Sequence, residues 1–261
     1  MMRRDARSAE ASLGTLFHET EEAAALASEV AWYAARLPRS GAPILDAMAG
    51  SGALLAGLLE AGFPVHGAEA SAARLALCRA RLDARGQATQ LFRQPASALN
   101  LPFRYAAAFV AGGAFQLLVD RTAALDALLR IRAHLVDPGL LLLELFVPSG
   151  ADHPPGAAIV EIRTVIPIDG CRIGLRSETS FDADSKRIDV VRRYERRERR
   201  AITAREDQTV SLTWYSEDDA AELLGAAGYL DIRVEAAPRT GEGGGHRFAV
   251  AARAGGARLR V

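Results

Sequence analysis

The sequence has few cysteines, no excess charge of either sign and no long apolar run. Cys78 and Cys171 are too few for a disulfide framework, and no His or Cys cluster has the spacing of a zinc site. The 32 basic and 32 acidic side chains cancel, so overall charge gives no argument for binding to nucleic acid or to an anionic membrane. The most apolar stretch, 139–148, is too short to cross a bilayer and contains Glu144.

Lysine is nearly absent as well, since Lys186 is the only lysine among the 32 basic side chains. Because alanine is abundant, we attribute this bias to a GC-rich genome rather than to function. Hydrophobic residues make up 49% and charged residues 25% of the 261 residues, which is typical of a globular protein with a sizeable core. No apolar segment follows the first arginines, so no signal peptide is expected. We therefore expect a soluble, cytoplasmic protein.

Up to residue 148, short apolar runs alternate with helical segments. Leu26, Val30, Tyr33 and Leu37 have helical spacing, which predicts one helix over 21–37. Alternation of short strands with helices predicts a parallel sheet that is covered on both faces. The predicted strands are 43–46, 65–69, 91–93, 107–111 and 140–146, and the predicted helices between them are 53–61, 71–84 and 121–135.

The pattern changes to antiparallel strands after Pro148 and then returns to α/β. A turn-rich linker, 150–156, precedes three alternating runs, and Asp169-Gly170 between the first two is a hairpin signal. The predicted strands are 157–168, 171–181 and 187–200, followed by a capped helix over 218–228 and strands at 232–235 and 247–252. The predicted organisation is a helical cover (1–40), an α/β core (41–150 and 215–255) and an antiparallel β insertion (157–214).

A glycine turn followed by an acid is the feature that carries chemistry. Asp46 ends a strand, Gly50 and Gly52 occupy the turn, and a helix begins directly after it. Glycines there let a ligand approach the backbone, and the amides at the start of the helix face it. Glu69 ends the next strand, where a carboxylate can bind the two hydroxyls of a ribose. We expect the ligand at the carboxyl ends of the strands.

Three ligand classes compete for this turn. A Walker loop requires a Gly-Lys-Ser/Thr ending, which is absent, and a dinucleotide fingerprint requires a third glycine where Leu55 stands. The remaining interpretation is S-adenosylmethionine, which has no diphosphate to bind. The motifs ILDAMAGSG, LNLPFRYAAAFV, LRIRAHLVDPG and WYSEDDAAELLGAAGY follow one another in an order that resembles the class I S-adenosylmethionine-dependent methyltransferases. The resemblance covers 31–148 and 216–252.

This resemblance implies a three-layer Rossmann-like methyltransferase fold. The sheet is expected to be mostly parallel with an antiparallel last strand, and the β insertion after strand five is expected to form a lid or a homodimer surface. The resemblance implies that Asp46 supports the amino-acid end of the cofactor and that Glu69 binds its ribose. The other implied cofactor positions are Ala49, Gly50 and Gly52 in the turn, Ala70 and Ala96 beside the adenine, and Ala111 under the methyl-donating end.

The segment after strand four bears on the acceptor. It reads Ala-Gly-Gly-Ala-Phe over 111–115, whereas methyltransferases acting on amino groups of nucleic acid show Asn/Asp/Ser-Pro-Pro-aromatic there. We therefore expect methyl transfer to a nitrogen or oxygen of a small molecule, without nucleic acid, membrane or metal. No catalytic residue is assigned, since an in-line transfer can proceed by orientation alone. The candidate acceptor-pocket residues are Tyr33, Phe115, Gln116 and Trp214.

Two alternatives remain open. Pro95 stands where the resembling family has an acid that binds adenine, and Ala106 where it commonly has aspartate, so a degenerate relative that binds cofactor or a partner without catalysis is the rival. The arginine-rich run 192–200 is either an anion or nucleic-acid site or the solvated face of a hairpin that pairs with Glu161 or Glu178. Its interleaved glutamates favour the solvated face.

Overall fold

The structure is a computed structural model that describes residues 12–23, 25–39, 41–149, 158–167, 170–199, 201–238 and 245–255. The predicted linker 150–156 and the turn residue Asp169 lie outside the described residues. The helices are α1 (Leu13–Glu22), α2 (Leu26–Ala34), α3 (Ala53–Glu60), α4 (Ala72–Asp83), α5 (Arg121–His134) and α6 (Glu217–Ala226), with short 3-10 turns at Ala96–Ala98 and Ala114–Leu117. The strands are β1 (Ile44–Asp46), β2 (Val65–Ala68), β3 (Leu91–Phe92), β4 (Tyr105–Val110), β5 (Leu135–Pro148), β6 (Ala158–Val165), β7 (Arg172–Asp182), β8 (Arg187–Glu198), β9 (Ala201–Thr213), β10 (Tyr229–Ala236) and β11 (Gly245–Ala254).

The larger sheet has seven strands in the order β10-β11-β5-β4-β1-β2-β3. The neighbours from β5 to β3 are parallel, whereas β11 is antiparallel to both β5 and β10. The predicted mostly parallel sheet with an antiparallel last strand is confirmed. The strand order reverses between β1 and β4, so a crevice for a ligand is expected at the carboxyl ends of these two strands.

Alternating side chains of the strands build a core on each face of this sheet. On one face, Leu45, Ala108 and Leu141 pack with α5 and α6 in one buried cluster. On the other face, Ile44 and Phe109 belong to a second cluster that includes residues of α2, α3 and α4. Ser71, Asp120 and Ser216 each accept a hydrogen bond from a backbone amide at the start of α4, α5 and α6, and the last of these confirms the capped helix predicted over 218–228.

The amino-terminal helix differs from the prediction. One helix was expected over 21–37, but α1 ends at Glu22 and α2 begins at Leu26. The two helices cover different sheets, since Phe17 of α1 packs in a cluster with the insertion and Tyr33 of α2 packs against β4. Apolar spacing alone does not reveal which sheet each turn of helix faces. In the described part of the chain, no helix combines the length and the apolar character needed to span a bilayer.

Pro138 and Gly139 lie in a bulge inside β5. Tyr105 pairs with Leu135 and Ala107 pairs with Leu140, so β5 has extra residues opposite β4 at this point. The chain therefore stays extended from Leu135 to Pro148, and the peptide bond before Pro138 is cis.

The antiparallel insertion is a four-stranded sheet in the order β6-β7-β8-β9. Three of its strands were predicted, and β9 was missed because inward positions such as Glu206 and Gln208 are polar and mask the alternation. Outward-facing arginines of β8 are paired, as the solvated-face interpretation expected, but with other acids. Arg193 pairs with Asp207 at 2.9 Å rather than with Glu161 or Glu178, since the register places Asp207 directly opposite on β9.

Candidate active site

Three buried carboxyl groups lie at the carboxyl edge of the large sheet. Asp46 ends β1, Glu69 follows β2 directly, and Glu144 lies one residue beyond the pair formed by Val110 and Leu143. They are the only buried acidic side chains in the described part of the chain, and each is less than 8% exposed. Burying an acid is unfavourable unless it is paired or used, so their common edge marks this place as the candidate site.

The two glycines of the turn have different physical roles. Both have positive φ, +56° at Gly50 and +77° at Gly52, where residues with a Cβ are strained. A Cβ at Gly50 would meet open space, whereas one at Gly52 would lie 2.3 Å from the Sγ of Cys78 on α4. Gly50 therefore leaves room in front of the turn, and Gly52 allows α3 to begin in contact with α4.

We expect Gly52→Ala to destabilise the fold more than Gly50→Ala does. Both substitutions introduce left-handed strain of roughly 1–2 kcal/mol, but only Gly52→Ala adds a clash with Cys78, worth about 1–3 kcal/mol. Urea unfolding of the two variants measures the difference, and circular dichroism checks that both are folded at the start. Equal losses of unfolding free energy would contradict this assignment of roles.

Glu69 is held by backbone amides on both of its oxygens. Oε2 accepts from the Gly50 amide at 2.9 Å and Oε1 from the Ser71 amide at 2.7 Å. An ionised carboxylate has about four lone-pair directions, so each oxygen keeps capacity for another donor such as a ribose hydroxyl. The amides thus fix the orientation of the carboxylate without saturating it.

Asp46 lies in an environment that disfavours its charge. Burial raises the pKa of its carboxyl to about 8, a value that includes an opposing hydrogen bond from the Met48 amide and smaller upward contributions from the charges of Glu69 and Glu29. A cation bound beside it would favour the ionised form. The residue is therefore suited to a positively charged ligand.

Glu144 was missed as a site residue by sequence reasoning. Its Oε2 accepts from the Gly112 amide at 2.9 Å and its Oε1 from Arg247 Nη1 at 3.2 Å, so it ties the segment after β4 to β11. Burial raises its pKa, and these two donors oppose the rise. The available signal was a single acid within the apolar run LLLLELF, which is costly unless the acid has a partner or a role.

The hydroxyl of Tyr33 lies next to Glu144 and is buried without a hydrogen bond of normal geometry. Burial raises the pKa of this phenol well above its ordinary value, and the charges of Glu144, Glu29 and Asp46 add to the rise. The phenol therefore stays protonated, and it adds a buried hydroxyl to the two buried acids at this edge.

The structure brings the predicted cofactor positions to this edge. Ala49 and Gly50 are in the turn after β1, Ala70 follows Glu69, the turn at Ala96–Ala98 follows β3, and Ala111 follows β4. Added Cβ atoms at Gly50 and Gly112 would both meet open space. Open space, a half-satisfied carboxylate at Glu69 and a buried acid at Asp46 fit a ligand that has hydroxyl groups and a positive charge. As cofactor contacts, these positions remain predictions.

The four predicted acceptor-pocket residues do not form one wall. Phe115 packs against Tyr215 at 5.9 Å within the core on one face, Tyr33 lies in the core on the other face, and Trp214 packs under the insertion. Gln116 is fully buried and its amide is occupied: Nε2 donates to the carbonyls of Phe146 and Thr213, and Oε1 accepts from the Phe146 amide. The 3-10 turn at Ala114–Leu117 directs Phe115 and Gln116 inward. As acceptor contacts, the four residues remain predictions.

Two histidines have well-defined partners inside the fold. His66 packs against Phe103 at 4.7 Å between ring centroids. His134, at the end of α5, accepts from the Leu101 amide at 2.8 Å through Nε2 and contacts the Arg130 carbonyl through Nδ1. Both histidines therefore have packing or capping roles.

Taken with the geometry of the edge, the strand order defines the fold of the S-adenosylmethionine-dependent methyltransferases. The amino pentose methyltransferase CalS10 of Micromonospora echinaspora, solved with S-adenosylmethionine, superposes with a TM-score of 0.65 at 22% identity over 96% of this chain and 98% of CalS10. The sugar N-methyltransferase KedS8 of a Streptoalloteichus species superposes with a TM-score of 0.66 at 21% identity, over 86% of this chain and 87% of KedS8. An S-adenosylmethionine-dependent methyltransferase of Clostridium acetobutylicum superposes with a TM-score of 0.70 at 15% identity, over 90% of this chain and 92% of that enzyme. No protein-family model and no curated protein matches the sequence.

Proposed function

We propose that this protein transfers a methyl group from S-adenosylmethionine to a nitrogen of a small molecule, with oxygen as the second choice of acceptor atom. The observation that carries the proposal is the position of Glu69, which accepts a hydrogen bond from Gly50 in the turn after β1, one of the two strands between which the strand order reverses. The structural neighbours support it, since CalS10 and KedS8 are methyltransferases of an amino pentose and of a sugar nitrogen.

Each residue at the carboxyl edge of the large sheet is proposed to contact a different part of the cofactor. S-adenosylmethionine supplies an electrophilic methyl group on a sulfonium when it is bound. Glu69 would accept hydrogen bonds from the ribose hydroxyls, and Asp46 would balance the charge of the amino-acid end. The positions that would contact the rest of the molecule are Ala49, Gly50 and Gly52 in the turn, Ala70 and Ala96 beside the adenine, and Ala111 beside the methyl group.

Buried acids at the methyl-transfer end favour nitrogen over oxygen. A neutral amine attacks with its own lone pair and needs no base, but it becomes a cation as it gains the methyl group. Asp46 and Glu144 lie where a low dielectric strengthens their attraction to that charge. An alcohol would have to lose a proton instead, and the described residues include no exposed base at this edge. The chain's contribution is to hold the acceptor in line and to exclude water.

Methyl transfer from tritiated S-adenosylmethionine to a panel of small amines and their matched alcohols tests the proposal. We expect tritium in a product, together with S-adenosylhomocysteine, for at least one amine but not for the alcohol of the same skeleton. Tight cofactor binding without transfer to any acceptor would favour the degenerate relative that binds without catalysis. Transfer to alcohols alone would contradict the choice of nitrogen.

The remaining assignments follow from the same account. We propose a cytoplasmic enzyme that acts on small molecules and not on nucleic acid, with the β insertion (157–214) as a lid or homodimer surface. The helical cover (1–40) and the core (41–150 and 215–255) are proposed as the other units. Size-exclusion chromatography with light scattering tests the oligomeric state.

A further inference from the structure

The segment that follows β4 presents backbone rather than side chains at the carboxyl edge of the large sheet. Gly112 and Gly113 both have positive φ, +60° and +70°, a conformation that residues with a Cβ rarely adopt. A Cβ at Gly112 would meet open space, whereas one at Gly113 would lie 2.8 Å from the ring of Phe146. Gly112 therefore borders the open space, and Gly113 packs against β5.

The far end of this segment is fixed by a neutral side chain. Gln116, in the 3-10 turn after Gly113, donates through Nε2 to the Phe146 carbonyl at 3.0 Å and accepts through Oε1 from the Phe146 amide at 2.8 Å. Nε2 also donates to the Thr213 carbonyl at 2.9 Å. The backbones of β5 and β9 thus set the position of this turn.

The near end of the same segment is held by a charged side chain. Oε2 of Glu144 accepts from the Gly112 amide at 2.9 Å, and the side chain is fully buried. Burying a carboxylate costs far more free energy than burying an amide group, and Gln116 shows that an amide group can bind the backbone here. A carboxylate oxygen, however, forms shorter and stronger hydrogen bonds with N–H donors. The acid therefore fixes the Gly112 amide more tightly than a glutamine would.

Arg247 on β11 holds the second oxygen of this carboxylate. Its Nη1 donates to Oε1 of Glu144 at 3.2 Å, and its guanidinium carbon lies 5.7 Å from the centre of the Phe146 ring. The register pairs Arg247 with Phe146, so Arg247 reaches the carboxylate diagonally across the ladder of β5 and β11. With a donor on each oxygen, the plane of the carboxylate is fixed, as that of Glu69 is by two amides.

Glu144 and Glu69 lie at opposite ends of the row of buried acids. The strand order places Glu144 on β5, Gly112 after β4, Asp46 on β1 and Glu69 after β2, in that sequence along the edge. Neighbouring strands are about 4.8 Å apart, so the strands of Glu144 and Glu69 are separated by about 14 Å. A cofactor whose ribose lies at Glu69 and whose amino-acid end lies at Asp46 leaves the open space at Gly112 for the acceptor.

We propose that Glu144 is a positioning residue for methyl transfer, which fixes the Gly112 backbone beside the acceptor nitrogen, and that Arg247 holds Glu144 in place. This assignment rests on the proposed function for placing the acceptor next to this segment. Because Gly112 has no side chain, its backbone alone limits where the nitrogen can lie. A displacement of reacting atoms by about 1 Å can slow a transfer by about 100-fold, so a tightly held backbone is worth the cost of a buried charge.

Glu144→Gln, Arg247→Gln and Arg247→Lys test this role, with Arg253→Gln as the matched control. Arg253 lies on the same face of β11 as Arg247, but it is exposed and pairs with Leu140 at the other end of the strand. Rates are measured with tritiated S-adenosylmethionine and the amine of the panel that is methylated fastest. Calorimetry gives the dissociation constant of S-adenosylmethionine, and thermal melts show whether each variant is folded. The amide resonance of Gly112 in the ¹⁵N-labelled protein reports its hydrogen bond to Glu144 without any ligand.

We expect Glu144→Gln to lower kcat by about 10- to 100-fold, with a dissociation constant for S-adenosylmethionine within about threefold of wild type. The Gly112 amide proton should move upfield, because a hydrogen bond to a neutral acceptor is weaker. Arg247→Gln should lower kcat about tenfold. Arg247→Lys should stay within about threefold of wild type, because a single nitrogen of Arg247 makes this bond. Arg253→Gln should stay within about twofold.

A Glu144→Gln variant with the kcat of wild type, or with an unshifted Gly112 resonance, would overturn the proposal. A kcat of Arg247→Gln at or above that of wild type would also overturn it, since Glu144 would then act through its charge alone. Equal losses of kcat and of S-adenosylmethionine affinity would show a general structural role instead. If Glu144→Gln does not fold, the two Arg247 variants and their Gly112 resonances decide. A wild-type protein that methylates no amine would refute the proposed function, and this assignment with it.

Discussion

Glu69→Gln is expected to weaken S-adenosylmethionine binding by about 10- to 100-fold, because a hydrogen bond to a charged group contributes roughly 1.5–3 kcal/mol. The substitution keeps the shape of the side chain but replaces one acceptor oxygen with an NH₂ group. Since the Gly50 and Ser71 amides both donate to the carboxylate, one of them would then face a donor. The side chain at position 69 therefore loses the orientation that the two amides impose, and it loses the charge that strengthens hydrogen bonds from the ribose.

Glu60→Gln is the matched control for this prediction. Glu60 is the exposed last residue of α3, and Glu60→Gln makes the same change of atoms and of charge as Glu69→Gln. Calorimetric titration of both variants compares the dissociation constants, and thermal melts show whether each protein is folded. A Glu69→Gln variant that binds S-adenosylmethionine as tightly as Glu60→Gln would remove Glu69 from the cofactor site.

Asp46→Asn is expected to have opposite effects on stability and on binding. Because burial raises the folded-state pKa from 3.8 to about 8, the Asp46 contribution to folding is fully present below pH 4 and is lost as the pH rises through about 8. Asparagine cannot ionise, so the free variant should melt at a higher temperature than wild type above pH 8. The melting temperature rises by about 2–4 °C for each kcal/mol of unfolding free energy that the variant gains. A melting curve at pH 5 and another at pH 9 measure it.

Binding of the cofactor should depend on the same proton. Near pH 7 the Asp46 carboxyl is mostly protonated, and a bound cation favours its ionised form, so binding in the wild type releases a proton and tightens as the pH rises toward 8. Titrations in buffers of different ionisation enthalpy measure this release. The Asp46→Asn variant should bind the cofactor about tenfold more weakly than wild type. It should also release fewer protons on binding. Equal proton release by both proteins would show that Asp46 does not face the positive charge.

The parts of the site that are formed by residues close together in the sequence can be predicted from local sequence patterns. Asp46, Gly50 and Gly52 are predictable because a strand end, a left-handed turn and a helix start each have their own residue preferences. Glu69 is predictable for the same reason, as the last residue before a Ser-capped helix. The caps of α4, α5 and α6 belong to this class as well.

Contacts between distant segments could not be predicted in this way. Glu144 meets Gly112 and Arg247 only because β5 lies between β4 and β11, and the register that aligns them depends on the bulge before Leu140. Gln116 would be an equally good pocket residue by sequence, yet its amide is saturated by the backbone of β5 and β9. Arg193 likewise pairs with Asp207 only because the register of β8 and β9 places the two residues opposite each other.

Calorimetric titration of the purified wild-type protein with S-adenosylmethionine tests the central claim most directly. The account predicts saturable, one-to-one binding in the micromolar range, with S-adenosylhomocysteine competing for the same site. No heat and no rise in melting temperature at millimolar cofactor would contradict it, and would leave the fold without the function proposed for it.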